Sequence, residues 1–509
     1  MNWSGTRSGV RVAGLTLLAA TLMVTGCEEL DLADDNPEGS LLVREGIGRE
    51  GKVLMLSPAT DAVIQVDRAD HSVSAIPVGE LPRTLEQPTG SDALYTLEPQ
   101  DGTLSRIATD GSVTSVDLGG PFNRLEWTPD GTQAVALFDP SLGNVDINEL
   151  GSLNPNAIAL LTETGDEVEV RQYTLSYPPL EVAFDPSSSK ALVSTRARLH
   201  VLDLDTLDEA AIPFAQGGGV ERRPSLVVPD VTGDRALVGV EGQTDLFIVS
   251  LEPVLIENVI GLQRVPSAMA WAGDGATAVI LDGTNRVTFL DLATFDTETL
   301  NLPHQATELQ VAGGATEPFA LLYSTTTFET ELSRVFLTEP GAPDEVDTWA
   351  MEDRIRELWV EPGGTAAVVF HDGTVGAGSV GAESLSLFSF TERAPSRIFL
   401  DAPATDLLFL EAGAVPGRES PHVLVVLSES ARIVRYDLWT YEQVVLDTYA
   451  RPEQIGVLPA GPATPQEVFV VHAQGGGLVS FMPPAANDVP PGGWPAVAGL
   501  TGRGLLDRR

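Results

Sequence analysis

One thiol, six imidazoles and 72 carboxylates are the groups through which this 509-residue chain could do nucleophilic, acid–base or metal chemistry. The thiol is Cys27, the only cysteine, so no internal disulfide can form and stability has to come from burial. The imidazoles are His71, His200, His304, His371, His422 and His472, and no two stand at a zinc-ligand spacing. His371 and His472 each follow an apolar run of the same kind, so they read as equivalent positions of a repeat that could meet near one face. Asp139, Asn144, Asp146, Asn148 and Glu149 put oxygen ligands into one segment. Calcium needs six or more oxygens in a defined arrangement, and this spacing departs from the EF-hand loop. Carboxylates are so common that no glycosidase-type pair can be selected among them. The sequence has no Gly-x-Ser-x-Gly elbow and no Gly-x-x-x-x-Gly-Lys phosphate loop. The glycine triplets at 217–219 and 475–477 read as flexible turns. No catalytic residue, cofactor-binding residue or metal ligand is therefore assigned from the sequence, and no cofactor is expected.

What precedes Cys27 gives that thiol a role. Arg7 and Arg11 form a short positive segment, and residues 12–24 are apolar apart from Gly14, Thr16 and Thr21. This run is too short to cross a bilayer, which takes about twenty residues, and it fits the apolar part of an export signal. It ends in Val24-Thr25-Gly26-Cys27: an aliphatic residue, two small ones, then cysteine. This resembles the lipobox of bacterial lipoproteins. The resemblance implies that residues 1–26 are a signal peptide, and that Cys27 is the lipid attachment site and the first residue of the mature chain. It also implies that the membrane partner is engaged through this N-terminal lipid. The residue after the cysteine is Glu28. In lipoproteins of diderm bacteria an Asp there favours inner-membrane retention, so the resemblance implies the outer membrane, facing either the periplasm or the cell surface.

Charge excludes one class of partner. The chain has 30 Lys and Arg against 72 Asp and Glu, a net of −42, and only Lys52 and Lys190 are lysines. Loss of residues 1–26 would make the net charge two units more negative. Nucleic acid needs cationic contacts to replace its counterions, so it is not an expected partner. Anionic lipid headgroups should be repelled too, leaving the lipid as the attachment. Directly after Cys27, Glu28, Glu29, Asp31, Asp34, Asp35 and Glu38 occur with no base among them, followed by Asn36-Pro37-Glu38-Gly39-Ser40 overlapping their end. Self-repulsion and turn residues make 27–50 an expected acidic, extended tether.

The body, residues 51–483, is repetitive. At 267–302 four short strand patterns follow one another: Ser267 to Trp271, Ala276 to Leu281, Arg286 to Leu290 and Phe295 to Leu302, with Ala272-Gly-Asp-Gly275, Asp282-Gly-Thr-Asn285 and Asp291-Leu-Ala-Thr294 as turns. Four short strands in about 40 residues make one propeller blade. The first turn recurs at Trp127-Thr-Pro-Asp-Gly131, Phe184-Asp-Pro186, Val228-Pro-Asp230, Val360-Glu-Pro-Gly-Gly364 and Val457-Leu-Pro459. The later turn recurs as Asp203-Leu-Asp-Thr-Leu207, Asp291-Leu-Ala-Thr-Phe295 and Asp437-Leu-Trp-Thr-Tyr441. In each, the Asp and Thr side chains can bond the turn backbone while the large apolar residue packs between blades.

These units resemble bacterial WD40-like and YVTN-type propeller repeats, although the Trp-Asp dipeptide is absent from the turns. The resemblance implies an all-β fold: a single large β-propeller of about eight four-stranded blades, within a range of seven to ten. Ten units can be marked, with the first (52–79) and last (453–483) incomplete, and the ring is expected to close by pairing strands from both chain ends. Residues 351–359 could form two helical turns. Residues 139–157, 324–350 and 411–420 read as long insertions, where binding usually resides. Residues 484–509, with Pro483-Pro484, Pro490-Pro491, Gly492-Gly493 and Trp494, read as a Pro/Gly-rich C-terminal tail.

The sequence favours a membrane-anchored lipoprotein whose propeller is a non-enzymatic scaffold for an unknown protein or envelope ligand. One alternative is an envelope hydrolase or lactonase with its site in the central channel. Three or more Asp, Glu or His converging there would mark it, and a channel lined by small apolar residues would exclude it. A cell-surface adhesin or matrix-binding protein is the other alternative. An enzyme is the less expected outcome.

Overall fold

The second strand of each repeat explains the architecture. Thr277–Leu281, Phe319–Tyr323, Ala366–His371 and His422–Leu427 are apolar nearly throughout and buried at every position. A strand reads this way when both faces of its sheet are covered. The fourth strands differ: Glu167–Thr174 and Val254–Gly261 bury no residue, as befits an outer edge.

A computed structural model describes residues 44–142, 154–216, 220–272, 275–312, 318–326, 329–337, 346–351, 353–371, 384–390, 393–448, 450–459, 466–472, 478–484, 486 and 496–497. Ten four-stranded antiparallel sheets follow one another along the chain, at 44–77, 84–117, 124–174, 179–213, 224–261, 268–301, 308–350, 355–399, 404–447 and 452–497. We number these blades 1 to 10. A small extra hairpin, Ala215–Gln216 paired with Val220–Glu221, interrupts the passage from blade 4 to blade 5.

The blades form one ring. Side chains alternate along each middle strand, so each blade feeds two interfaces. In blade 6, Val279, Leu281, Val287 and Phe289 pack on blade 7, while Ala278, Ile280 and Leu290 pack on blade 5. A buried apolar cluster of this kind lies between every consecutive pair of blades, and another joins blade 10 to blade 1. The molecule is therefore a ten-bladed propeller, beyond the four to eight blades of the usual propeller.

Ten blades is the upper edge of the range expected from sequence, and the estimate of eight fails for an identifiable reason. That estimate assumed that strands from the two chain ends share a blade. Here blade 1 supplies its own first strand, Arg44–Arg49, and blade 10 its own fourth, Ala496–Val497. Closure is made by side chains instead. Val53, Met55, Ile64 and Val66 of blade 1 bury against Leu458, Phe469, Val479 and Phe481 of blade 10. The propeller thus takes one strand, Arg44–Arg49, from the stretch expected to be tether and another, Ala496–Val497, from the stretch expected to be tail.

The other sequence expectations divide similarly. Residues expected to form helical turns at 351–359 contain instead a strand, Ile355–Val360. The expected insertion at 324–350 contains the third and fourth strands of blade 7, Glu331–Phe336 and Val346–Ala350. The segment at 139–157 does lie between two strands of blade 3, and 411–420 between two strands of blade 9. Cys27, the signal segment and both glycine triplets lie outside the described residues.

Both repeated turns are observed. Between first and second strands, the turn opening at Thr128, Asp185, Asp230, Ala272 or Glu361 donates its first N–H to the carbonyl five residues on, and accepts from the N–H three residues on. The fourth residue has a left-handed backbone: Gly131, Ser188, Gly233, Gly275 and Gly364. Between third and fourth strands, Oδ1 of Asp203, Asp291 and Asp437 accepts two backbone N–H bonds. Leu207, Phe295 and Tyr441 then pack on the preceding blade.

A contact not anticipated from sequence joins blades 2, 7 and 9 to their successors. The third strand of each carries an arginine that donates to a carbonyl between the third and fourth strands of the next blade. Arg106 reaches Gly165 O at 3.1 Å, Arg334 reaches Phe390 O at 3.3 Å, and Arg435 reaches Pro484 O and Ala486 O at 2.8 and 2.9 Å.

Candidate functional site

Strand direction alternates within a blade, so connections from fourth to first and from second to third strands share one face, here called the upper face. The first strands of successive blades lie against one another and surround the axis. Six of them carry a register shift near the upper end, after Arg44, Pro179, Pro224, Ile355, Ala404 and Pro452.

The carboxylates of these inner strands are engaged one at a time. Glu181 pairs with Arg223 at 3.0 Å, Glu126 with Arg124 at 2.7 Å, and Glu308 accepts from Thr325 Oγ1 at 2.9 Å. Asp406 Oδ2 accepts the Ile455 N–H of the next blade at 3.0 Å, supplying a partner to a donor on that blade's inner edge. The inner strands are thus neither lined by small apolar residues nor seen to gather three acidic or histidine side chains around one point. Among the described residues, no group of three or more His, Cys, Asp or Glu side chains is arranged to hold a metal ion.

The histidines are placed by their own blades. His371 and His472 do occupy equivalent positions, each ending a second strand. They do not meet. His371 Nε2 bonds Ser386 at 2.7 Å and His472 Nε2 bonds Ser480 at 2.9 Å, each on the adjacent third strand. His304 Nε2 bonds Ser333 at 2.8 Å. Burial lowers the pKa of His472, and also that of His422 despite Asp437 at 3.6 Å. His71, on a turn with a left-handed backbone, stacks on Phe481 at 6.4 Å. His200 is fully buried in blade 4 between Ser176 at 3.1 Å and Glu209 at 2.5 Å.

Of the segment considered for calcium, Asn144, Asp146, Asn148 and Glu149 lie outside the described residues. Asp139 spends Oδ1 on the N–H and hydroxyl of Ser141, at 2.8 and 2.6 Å, and stands 3.7 Å from Arg124.

The upper face is most elaborated over blades 3 to 5. There the long connection 138–156 leaves blade 3, and the extra hairpin rises between blades 4 and 5. Between them runs the short connection 175–178. Glu221 of the hairpin ties the two together, accepting from Arg198 Nη2 at 2.8 Å and from the Tyr177 hydroxyl at 3.2 Å. On the opposite face, a cleft of about 170 Å³ opens between blades 3 and 4, lined by Gln133, Thr162, Glu169, Arg171, Asp205 and Leu207 among others. That is below the 300–1,000 Å³ typical of small-molecule pockets. No helix of the described residues is long and apolar enough to cross a membrane.

No family model matches the sequence, and no curated protein is similar to it. Among solved structures the chain is similar to dihydro-heme d1 dehydrogenase NirN in complex with DHE, at 12% identity and a TM-score of 0.46, over 70% of this chain and 73% of that one. It is also similar to hydrazine synthase of Kuenenia stuttgartiensis, at 12% identity and a TM-score of 0.34, over 62% and 97% of the two chains. Apo AztD from Citrobacter koseri follows, at 10% identity and a TM-score of 0.37, over 62% and 87%. At this distance none of their chemistry transfers.

Proposed function

We propose that the protein is an outer-membrane lipoprotein whose propeller is a binding scaffold in the cell envelope. Lipid on Cys27 holds it, the acidic segment spaces it from the bilayer, and a protein or envelope ligand docks on the upper face over blades 3 to 5. The observation that carries the reading is the construction of that sector. An added hairpin beside a short loop, on the face from which the longest connection between a second and a third strand departs, is mounted on a ring packed at each of its ten interfaces. A rigid ring lets such loops hold a fixed binding geometry.

Two measurements test this. Replacement of Cys27 by Ala should move the protein from the membrane to the soluble fraction; retention in the membrane would refute lipid anchoring. Protease added to intact cells, with and without outer-membrane permeabilisation, should read the compartment. Digestion of intact cells supports capture of external ligands or adhesion, and protection until permeabilisation supports a periplasmic scaffold. Recovery in the cytoplasm would refute both.

A further inference from the structure

We infer that Ser176, His200 and Glu209 form a nucleophilic triad on the upper face, competent to accept acyl groups from small esters. The inference does not depend on lipid anchoring or on the identity of a docked ligand.

The geometry has the polarity such a site needs. With the Glu209 carboxylate as the acceptor, His200 Nδ1 is the donor of this pair, to Oε1 at 2.5 Å. That leaves Nε2 as the base, 3.1 Å from the Ser176 hydroxyl. The imidazole is buried, whereas the serine is exposed and open to a substrate. The serine loop is pinned on both sides. Leu175 N–H bonds Asn156 O at 2.9 Å, and the Tyr177 hydroxyl bonds Glu221 of the extra hairpin. The backbone N–H groups of Ser176 and Tyr177 form no hydrogen bond among the described residues, which leaves two donors beside the nucleophile for a developing oxyanion.

Three further histidine–serine pairs in the molecule show what a purely structural version looks like. Ser333, Ser386 and Ser480, bonded to His304, His371 and His472, are all buried. In two of them Nδ1 bonds a main-chain carbonyl, Gln305 O or Ala450 O. These pairs tie strands together where no substrate can reach. Among the described residues, the blade 4 pair alone combines an exposed serine with a carboxylate behind the imidazole.

The chemistry closes without a further reagent. Nε2 takes the hydroxyl proton as Ser176 Oγ bonds the acyl carbon, and the proton then passes to the departing alkoxide as the ester C–O bond breaks. Water repeats the sequence on the acyl-serine, releasing the acid and restoring the hydroxyl. Glu209 acts as a positioning residue, fixing the tautomer and balancing the imidazolium.

The test uses the whole protein as the cell produces it, purified in detergent, with a fluorophosphonate as probe and p-nitrophenyl acetate as substrate. The expected result is one label per chain, mapped to Ser176, lost in Ser176→Ala with an unchanged melting temperature. Glu209→Gln should lower the labelling rate and kcat by about 10²–10⁴-fold with KM little changed. Any of three results would overturn the triad: no labelling above the denatured protein, equal labelling of Ser176→Ala, or a Glu209→Gln variant as fast as the parent.

Discussion

Arg68 and Glu467 lie 399 residues apart in the chain, and the guanidinium of one grips both carboxylate oxygens of the other, Nε at 2.5 Å and Nη2 at 2.9 Å. This fork joins a turn of blade 1 to the second strand of blade 10. It sits over ten buried side chains of the closing interface. At roughly 1.5–3 kcal/mol per buried aliphatic or aromatic side chain, the apolar surface dominates closure, and the ion pair fixes its register.

Closure should therefore be weakened more by a wedge than by loss of the pair. A methyl group on Gly48 would stand 2.1 Å from Val457 O, backbone against backbone at the inner edge of the same interface. Gly48→Ala is expected to cost about 2–4 kcal/mol, and Glu467→Gln about 1–2 kcal/mol. Urea titration of both variants checks this. Equal effects, or a larger one for Glu467→Gln, would mean that the pair and not the packing holds the ring shut.

Arg334 is caged by aromatic rings: Phe336 at 4.6 Å, Trp349 at 5.3 Å, Phe390 at 5.5 Å and Phe319 at 5.8 Å from its guanidinium carbon. It also donates to Asp347 and to Phe390 O of blade 8. Lysine keeps the charge but loses the planar fork and the stacking. Arg334→Lys should lower stability by about 1–2 kcal/mol, read by thermal melting, whereas Arg334→Lys at parental stability would mean that charge alone suffices.

What could be read in advance followed from local chemistry. The turn at Trp127-Thr-Pro-Asp-Gly131 and the strand Arg286–Asp291 sit where their residues imply, because turn geometry is fixed within six residues. Blade number was less legible. It depends on whether Arg44–Arg49, with Gly46 and Gly48 in place of side chains, counts as a strand, and those glycines are there because Phe469 and Val457 approach closely. The Ser176–His200–Glu209 grouping was hidden for a different reason. Its members come from a connection and two separate strands, and only the pairing of Arg198–Asp203 with Glu209–Pro213 brings the last two together. A faint signal did exist for the interblade arginines: Leu104-Ser105-Arg106 and Leu332-Ser333-Arg334 repeat the same triplet.

Two glycines separate backbone strain from collision. Gly131 and Gly165 both have left-handed backbones, at φ 72° and 63°. A methyl on Gly165 meets nothing within 4 Å, whereas on Gly131 it lies 2.2 Å from Thr89 O of the preceding blade. Gly165→Ala should cost about 1 kcal/mol and Gly131→Ala about 2–4 kcal/mol in the same urea titration. Matching losses would show that the turns do not bear on their neighbours.

Glu98 sets the expected pH dependence. It is fully buried in blade 2, and burial raises its pKa to about 7, against the opposing pull of the Thr96, Ser105 and Thr103 hydroxyls; nearby Asp101 raises it further. The sign follows from comparison with the unfolded chain, where a glutamate titrates near 4.5. Below that pH both states are protonated and the residue costs nothing. As pH rises from about 4.5 to about 7 the unfolded chain loses this proton while the fold keeps it, so stability falls by roughly 3 kcal/mol and levels once the buried carboxyl also ionises. Glu98→Gln removes the titration while keeping Oε1 as an acceptor for Thr96, and its amide NH2 can donate to the Thr103 hydroxyl. The variant should match the parent at pH 4.5 and exceed it by roughly 3 kcal/mol at pH 8. Urea titrations at the two pH values measure the difference directly, and a gap that does not widen between them would show that Glu98 ionises at no cost in the fold.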